Sequence, residues 1–408
     1  MSKPRNHASF MRPASSLAAL LASLLIATAS SFAADSAPKA TPFDQAQALM
    51  ESLRAKALPT PASFGENEQD LFEAMVGGMV PVDPAFCERI KLIEITDGLL
   101  PVLNQPIPGL KESSPWISGN ILACRLFALR GQLLCQQGKV AEGQTWLLKP
   151  RLMARRPGGD QSLIQHIVAT AMDAIGQQTA ARYVEIWSEA DRLAYVRAAE
   201  GLAPLGSLRL AVRNDNETLP ENARVRTMIQ AFKTLTPAQQ IEHIRKAWGS
   251  WAATAKDAEL RVRRSQAFIS GLTVESWDAL LDAASAELEP LNAETYKAFA
   301  ARNAAALKLI EAEEAKPTPA SAQKTAALYR VLMSPGTEGI ARGRFKLELS
   351  SKLLVVALRK GAAFDEACLA NLTTADGQPL KLGKHEGVKA ILVPGDDAPF
   401  LIIGPAKK

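Results

Sequence analysis

Apolar residues recur at helical spacing along most of the chain. One stripe consists of Leu163, Ile167, Ala171 and Ile175, and later segments repeat the pattern. Apolar positions three or four residues apart fall on one face of an α-helix, which then packs against a core. The pattern predicts helices near residues 43–57, 66–77, 84–103, 116–137, 140–155, 160–176, 179–200, 221–234, 237–253, 256–270, 274–288, 292–314, 319–333 and 337–360.

Several of these helices have clear start signals. A residue with a capping side chain is followed by proline at Thr41-Pro42, Asp83-Pro84, Ser114-Pro115, Thr236-Pro237 and Thr318-Pro319. The capping oxygen accepts an unpaired backbone N–H, and proline lacks the N–H that would go unused there. Thr236 also has Gln239 three residues later, which predicts a capping box. Pro101 and Pro150 are expected to end or kink their helices.

The period changes after Gly361. Residues 380–384, 388–393 and 400–403 have the pattern of strands, separated by turns at 385–387 and 394–397. Three short strands form a meander too small to be stable alone, so we expect it to pack on the preceding helix and the helical array. The predicted organisation is a signal peptide (1–33), a linker (34–42), a helical domain (43–335) and a C-terminal helix with a small sheet (336–408).

One helical hairpin is similar to a tetratricopeptide unit. It places a close-approach glycine, a turn glycine and packing leucines at suitable offsets: Leu126, Gly131, Leu134, Gly138 and Leu147. No second copy follows at a spacing of about 34 residues. We therefore predict a mainly α fold: an irregular array of antiparallel helices with one tetratricopeptide-like hairpin, followed by a small C-terminal α+β segment containing a three-stranded antiparallel meander.

The N-terminus has the features of a secretory signal peptide. Lys3, Arg5 and Arg12 precede an apolar run, residues 17–29, and Ser31-Phe32-Ala33 supplies small residues before a cleavage point. The alternative is an uncleaved N-terminal anchor. The absence of a following cysteine argues against a bacterial lipid anchor, and the absence of an Arg-Arg pair against a twin-arginine signal. We expect a periplasmic or extracellular protein that is not inserted in the membrane after cleavage.

Composition and charge add little to this prediction. The 408 residues are 47% apolar, 22% charged and 6% aromatic, which is ordinary for a globular protein. The formal net charge of +5 falls to about +2 when the three leader cations are removed. The mature chain therefore has no charge excess that would indicate nucleic acid or an anionic membrane as a partner.

Two regions resemble an uncharacterised family of secreted, mostly helical bacterial proteins. The first runs from Cys124-Arg125-Leu126-Phe127-Ala128-Leu129-Arg130-Gly131 through Gly138-Lys139 to Gln161-Ser162-Leu163-Ile164-Gln165. The second is the C-terminal segment, where a helix over 345–359 leads through Asp376-Gly377-Gln378-Pro379-Leu380 to the strand at 400–403 and Gly404-Pro405. That order is similar to the tail of type II secretion pseudopilins. Ala375 before Asp376, and Ala363-Phe364 in place of Tyr-Pro, depart from the pseudopilin pattern. The resemblance implies a fold and no activity.

The sequence carries no strong catalytic or metal-binding motif. His166, His243 and His385 lie far apart, so no His/Cys zinc spacing exists, and His385-Glu386 falls in a predicted turn. His166, with Asp173 seven residues later, is interpreted as a hydrogen-bonded structural histidine. Ser321-Ala322-Gln323-Lys324 matches the Ser-x-x-Lys pattern of serine enzymes, but the companion motifs are missing. We assign no catalytic, cofactor-binding or metal-binding residue and expect no cofactor.

The four cysteines leave alternatives open. Cys124 and Cys135 on one helix would lie roughly 16 Å apart, beyond disulfide reach. Full pairing would then join Cys87 to Cys124 with Cys135 to Cys368, or Cys87 to Cys135 with Cys124 to Cys368. An oxidising compartment permits a bridge from Cys87 to Cys124 or Cys135, and the apolar neighbours of all four allow buried free thiols equally well.

Basic residues and tryptophans complete the candidate features. Lys149, Arg151, Arg155 and Arg156 form one basic cluster, and Arg261, Arg263 and Arg264 form another; both are interpreted as solvated faces. The six tryptophans mostly share apolar helix faces and are expected in the core: Trp116, Trp146, Trp187, Trp248, Trp251 and Trp277.

Two functions are compatible with this sequence. The first is an extracytoplasmic interaction or scaffold protein whose partner is another envelope protein. The alternative is a secreted or periplasmic hydrolase whose site is built from dispersed Asp and Glu residues, which sequence alone cannot locate. The oligomeric state is left open.

Overall fold

The computed structural model describes residues 66–78, 80–104, 115–158, 162–218, 220–248, 258–286, 288, 293–315, 322–396 and 398–404. The predicted helix at 43–57 lies outside these residues. In chain order the α-helices are α1 (Glu66–Val76), α2 (Pro84–Arg89), α3 (Leu92–Gly98), α4 (Pro115–Gln136), α5 (Val140–Ala154), α6 (Leu163–Ala181), α7 (Glu189–Glu200), α8 (Leu208–Thr218), α9 (Pro220–Phe232), α10 (Pro237–Trp248), α11 (Ala258–Ser270), α12 (Val274–Ala286), α13 (Ala293–Ala315) and α14 (Ala322–Lys360). Short 3₁₀ helices cover Leu100–Asn104, Gly361–Ala363 and Glu366–Leu369.

The strands β1 (Lys381–His385), β2 (Val388–Leu392) and β3 (Leu401–Ile402) form an antiparallel sheet in that order. Leu382 pairs with Ile391, which in turn pairs with Leu401. Glu386 and Gly387 join β1 to β2 with φ angles of 49° and 80°, as a two-residue hairpin turn requires. The mainly α fold with a small C-terminal sheet is confirmed.

The hairpin of α4 and α5 depends on three glycines. A Cβ on Gly131 would lie 2.7 Å from Leu147 Cγ, and one on Gly143 would lie 2.5 Å from Cys135 Sγ, so only glycine permits this helix approach. Gly138 ends α4 in the left-handed region with φ 81°. The N–H of Lys139 then donates to Leu134 O, and that of Gly138 donates to Cys135 O, which is the Schellman pattern.

The predicted single helix at 84–103 is wrong. The segment 84–103 is divided into α2, α3 and a 3₁₀ helix, because the chain turns at Lys91 (φ 52°) and thereby buries both Ile90 and Leu92. Pro150 does not end α5, which continues to Ala154. The buried residues on either side of Pro150 supply packing that outweighs a proline cost of about 3 kcal/mol.

The chain between α6 and α9 also differs from the prediction. Within the segment 179–200, residues 179–181 belong to the end of α6, and α7 begins only at Glu189, where the Ser188 hydroxyl accepts the N–H of Asp191 and caps the helix. Helix α8 was not predicted; the Ser207 hydroxyl accepts the N–H of Leu210 at its start. The predicted helices 319–333 and 337–360 are one helix, α14, which runs through Pro335.

The described residues form three apolar clusters. One joins helices α1 to α6, a second joins the ends of α6 and α14 to α7 and the sheet, and a third lies among α9 to α13. The sheet is attached to the helices by a hydrogen bond from Gly404 N to Ala181 O (3.2 Å) and an ion pair between Lys389 Nζ and Glu185 Oε1 (3.2 Å). The C-terminal segment is therefore docked on the array, as its small size predicts.

Candidate functional site

A buried carboxylate lies at the junction of α5 and α6. Asp173 Oδ1 accepts from Arg151 Nε (2.9 Å) and Arg155 Nη1 (2.5 Å), and its Oδ2 accepts from Gln177 Nε2 (2.7 Å). Only 1% of the Asp173 side chain is exposed. Burial alone would raise the pKa of Asp173, but Arg151 and Arg155 outweigh burial and hold it below its usual range. The carboxylate is therefore ionised and held by three donors.

Helix α14 extends this arrangement. Arg151 Nη2 donates to Ser351 Oγ over 3.1 Å. On the same helix, Glu348 lies one turn before Ser351 and Arg344 lies one turn before Glu348, and these two side chains pair over 2.8 Å. We use the name buried polar cluster for the side chains that meet between α5, α6 and α14: Arg151, Arg155, His166, Asp173, Gln177, Arg344, Glu348 and Ser351.

His166 occupies the other end of the cluster on α6. The side chain is 1% exposed, and neither imidazole nitrogen has a hydrogen-bond partner. Burial, together with the positive charge of Arg344, lowers the pKa of His166 to about 3. The prediction of a hydrogen-bonded structural histidine is therefore wrong: the ring is buried as predicted, but without protein partners, because Asp173 is already saturated by its own donors.

A short segment between α7 and α8 spans the cluster. The carbonyl of Ala203 accepts from Arg155 Nε at 2.6 Å, and the carbonyl of Gly206 accepts from Arg344 Nη1 at 3.4 Å. Between them, Leu205 packs against the apolar cluster that joins helices α1 to α6. We call residues 203–206 the strap. Two arginines of the cluster therefore hold the strap through its backbone.

The predicted solvated basic face of α5 is wrong. Arg151 is 3% exposed and Arg156 is 6% exposed. Arg156 donates to Val102 O (2.7 Å) and Asn120 Oδ1 (2.7 Å), and burial lowers its pKa to about 10. These guanidinium groups are buried because they satisfy backbone and side-chain oxygens that would otherwise lack donors.

The second basic cluster fits its interpretation where its side chains are described. Arg263 is exposed and pairs with Glu259 over 3.0 Å on α11. The side chains of Arg261 and Arg264 lie outside the described residues. On α5, Lys149 Nζ lies 4.5 Å from the centroid of the Trp146 ring, whose other neighbour is the Arg130 guanidinium at 3.7 Å.

Of the two alternatives left open for the cysteines, the structure has free thiols at all four positions. Cys124 Sγ instead contacts Met153 Sδ at 3.6 Å, and Cys135 Sγ lies against Gly143 in the helix hairpin. Burial raises the pKa of Cys87 to about 12 and that of Cys135 to about 11, so neither thiol ionises near neutral pH. The apolar neighbours of these cysteines, which allowed buried thiols, therefore account for thiols that stay protonated.

The other candidate residues are dispersed. His385 ends β1 and Glu386 lies in the hairpin turn, while His243 is exposed on α10. Ser321 of the Ser-x-x-Lys match lies outside the described residues, as do the side chains of Trp116, Trp248 and Trp251. Trp146, Trp187 and Trp277 are buried, as predicted. Among the described side chains, no three His, Cys, Asp or Glu residues form a group that could hold a metal ion.

Comparison with known proteins identifies no relative. No family model matches the chain, no curated protein matches its sequence, and no solved structure matches its fold. Among the described helices, none has both the length and the apolar character needed to cross a membrane.

Proposed function

We propose that this chain is an exported helical interaction protein whose partner is another protein of the cell envelope. One observation carries the proposal. The most buried carboxylate at a convergence of charged side chains, Asp173, is fully engaged by three donors of its own protein. The side chains that come together in the described core therefore connect helices to one another.

The same observation argues against the alternative hydrolase. General acid–base catalysis by carboxylates works best when one carboxyl has a pKa near the working pH and can reach the substrate. The pKa of Asp173 is lowered instead, and its oxygens are occupied. Glu348 in the same cluster is bound to Arg344 over 2.8 Å. Asp173 therefore lacks the raised pKa that distinguishes the acid of a carboxylate pair.

Two exposed apolar side chains give the proposal a place to be tested. Ile93 on α3 is 58% exposed and Ile186, in the turn after α6, is 54% exposed. The backbone of each is hydrogen-bonded: Ile93 O accepts from Arg130 Nη1 (3.3 Å), and the N–H of Ile186 donates to Tyr183 O (3.0 Å). Exposed apolar side chains at such positions are suitable places to probe for contact with a partner protein.

The test is site-specific photo-crosslinking in the native envelope. A photoreactive amino acid at position 93 or 186 is expected to give one discrete adduct with another protein, whereas the same amino acid at the exposed position of Glu242 gives none. N-terminal sequencing of the exported chain is expected to begin at Ala34 or within a few residues. Retention of residues 1–33, or the same adduct pattern at all three positions, would contradict the proposal.

A further inference from the structure

Helix α3, the 3₁₀ helix that follows it and helix α5 meet at the surface of the molecule. Arg130 on α4 connects α3 to α5, because its Nη1 donates to Ile93 O over 3.3 Å and its guanidinium lies 3.7 Å from the centroid of the Trp146 ring. Arg156 connects α5 to the 3₁₀ helix by donating to Val102 O over 2.7 Å. These arginine contacts hold the three elements next to one another.

Each of the three elements contributes apolar side chains to this surface. Ile93 on α3 is 58% exposed and Leu152 on α5 is 44% exposed. Leu100 and Leu103 of the 3₁₀ helix are half-buried. Apolar side chains that are exposed singly are ordinary, but a group of them on adjoining elements is typical of a contact surface. We define the α3–α5 face by five residues: Ile93, Leu100, Leu103, Lys149 and Leu152.

The α3–α5 face carries an ammonium group that no carboxylate of the described residues pairs with. Lys149 Nζ lies 4.5 Å from the centroid of the Trp146 ring. Asp97, whose negative charge acts on Lys149, is already bound to Arg130 over 2.5 Å. Burial, together with the positive charge of Arg130, lowers the pKa of Lys149. The local charge therefore favours a carboxylate that comes from another molecule.

We propose that the α3–α5 face binds a segment of the partner protein in which an Asp or Glu side chain is flanked by apolar residues. The carboxylate pairs with Lys149, and the apolar residues cover Ile93 and Leu152. Lys149 lies one turn before Leu152, so one short segment can reach both. In protein interfaces, apolar contacts at the centre supply burial and complementary charge selects the partner. The inference rests on the proposed interaction function, and it names the surface and the chemistry of the partner.

The first experiment is zero-length crosslinking of the exported chain in its native envelope with a water-soluble carbodiimide. The reagent activates a carboxylate, the Lys149 amine attacks the activated carbonyl, and an amide forms while the carbodiimide leaves as a urea. We expect mass spectrometry to find an amide between Lys149 and an Asp or Glu that is flanked by apolar residues in one partner protein. Lys308, which is exposed on α13, is the control and should give no such intermolecular amide.

The second experiment uses the photoreactive amino acid at position 93. Lys149→Glu should lower the yield of its adduct with the partner about tenfold, because two like charges would then face each other. Lys149→Arg retains the charge and should leave the yield close to that of the parent. Because Lys149 is only half-buried, both variants should fold, and thermal melting of the purified chains verifies this.

The outcomes separate this inference from the proposed function. An undiminished adduct at position 93 in Lys149→Glu would overturn the inference and leave the proposed function standing, as would a Lys149 amide formed only within its own chain. Loss of every photo-adduct in the parent would contradict both. Binding of the purified chain to vesicles of anionic phospholipid that is lost in Lys149→Glu would also overturn the inference, because the occupant of the face would then be a membrane.

Discussion

Two parts of the molecule join their helices in different ways. In the central region, which we define as α4 to α7 with α14, arginine side chains are buried between the elements they connect. In the α9–α12 region, the arginine pairs lie at the surface: Arg226 with Asp278, and Arg245 with Glu259. Among the described side chains of that region, the buried polar residue is Gln240, an uncharged amide.

The difference follows from what each side chain must satisfy. Arg156 donates to Val102 O in a 3₁₀ helix, Arg182 donates to Gly77 O after α1, and Arg192 donates to Leu358 O in the last turn of α14. The final carbonyls of a helix have no partner within the helix, and a long side chain with several donors can reach them. In the α9–α12 region, Gln240 does the same over a shorter distance, by donating to Phe232 O and Leu235 O.

In the central region, the buried charged side chains hold the helices together, and each depends on its partner. A buried pair contributes little beyond a well-packed apolar one, but removing one partner leaves an uncompensated charge inside the protein. Exposed pairs have no such dependence, because water replaces the lost partner. The two regions should therefore respond very differently to loss of a single carboxylate.

The largest effect is expected from Asp173→Asn. The amide keeps the volume but leaves Arg151 and Arg155 without their shared counter-charge, so unfolding should become easier by about 3–5 kcal/mol. The measurement is denaturant unfolding of the purified chain. Glu259→Gln in the α9–α12 region is the control, and its unfolding midpoint should stay close to that of the parent, because water replaces the lost partner there. Equal costs at the two positions would remove the distinction between the regions.

Sequence reasoning recovered the elements whose signals are local. Gly131 and Gly138 of the α4–α5 hairpin and the turn at Glu386-Gly387 are fixed by neighbouring residues, and these features were predicted. The buried polar cluster was missed because Arg151 and Asp173 meet only once α5 packs on α6. A signal did exist: His166, Asp173 and Gln177 share one face of α6, as Arg344, Glu348 and Ser351 share one face of α14. Polar residues on one helix face are ordinarily solvated, and for that reason the arginines of α5 were wrongly interpreted as a solvated face.

A second prediction tests how closely the helices of the central region approach one another. Gly131→Ala would place a Cβ 2.7 Å from Leu147 Cγ and 2.9 Å from the Gly143 carbonyl oxygen, which is backbone and cannot move independently. The cost should lie toward the upper end of about 1–3 kcal/mol. Gly343→Ala on α14 is the matched control, since its Cβ would meet no atom within 4 Å.

Because alanine is the better helix former, Gly343→Ala should stabilise the protein by about 0.5–1 kcal/mol. Thermal melting of both variants measures the contrast. Two variants that shift the melting temperature in the same direction would show that the α4–α5 contact is looser than its geometry indicates.

A third prediction concerns pH. His166 has a folded-state pKa of about 3, depressed by burial and by Arg344, against an ordinary value of 6.5. Between these values the unfolded chain binds a proton that the folded chain does not, so stability is full above pH 6.5 and decreases as the pH falls toward 3. Between pH 7 and pH 5 the loss should be about 2 kcal/mol.

Unfolding titrations at several pH values measure this dependence. In His166→Phe the loss between pH 7 and pH 5 should largely disappear, whereas in His243→Gln it should persist, because His243 is exposed. Asp173 does not contribute to this pH dependence. Its pKa is lowered from 3.8, so the stability that it contributes is lost only as the pH falls below that value. An unchanged pH dependence in His166→Phe would show that the pKa of His166 is not lowered by folding.

The smallest effect is expected in the α9–α12 region. Arg226 Nε and Nη2 both donate to Asp278 Oδ1, at 3.0 and 2.8 Å, and the pair joins α9 to α12. The side chains are 35% and 44% exposed, so water can replace either partner. A double-mutant cycle with Arg226→Gln and Asp278→Asn should give a coupling free energy of about 0.2–1 kcal/mol, reduced further by salt. Coupling well above that range would place this pair with the buried arginines of the central region, and would mean that surface position alone does not separate the two ways of joining helices.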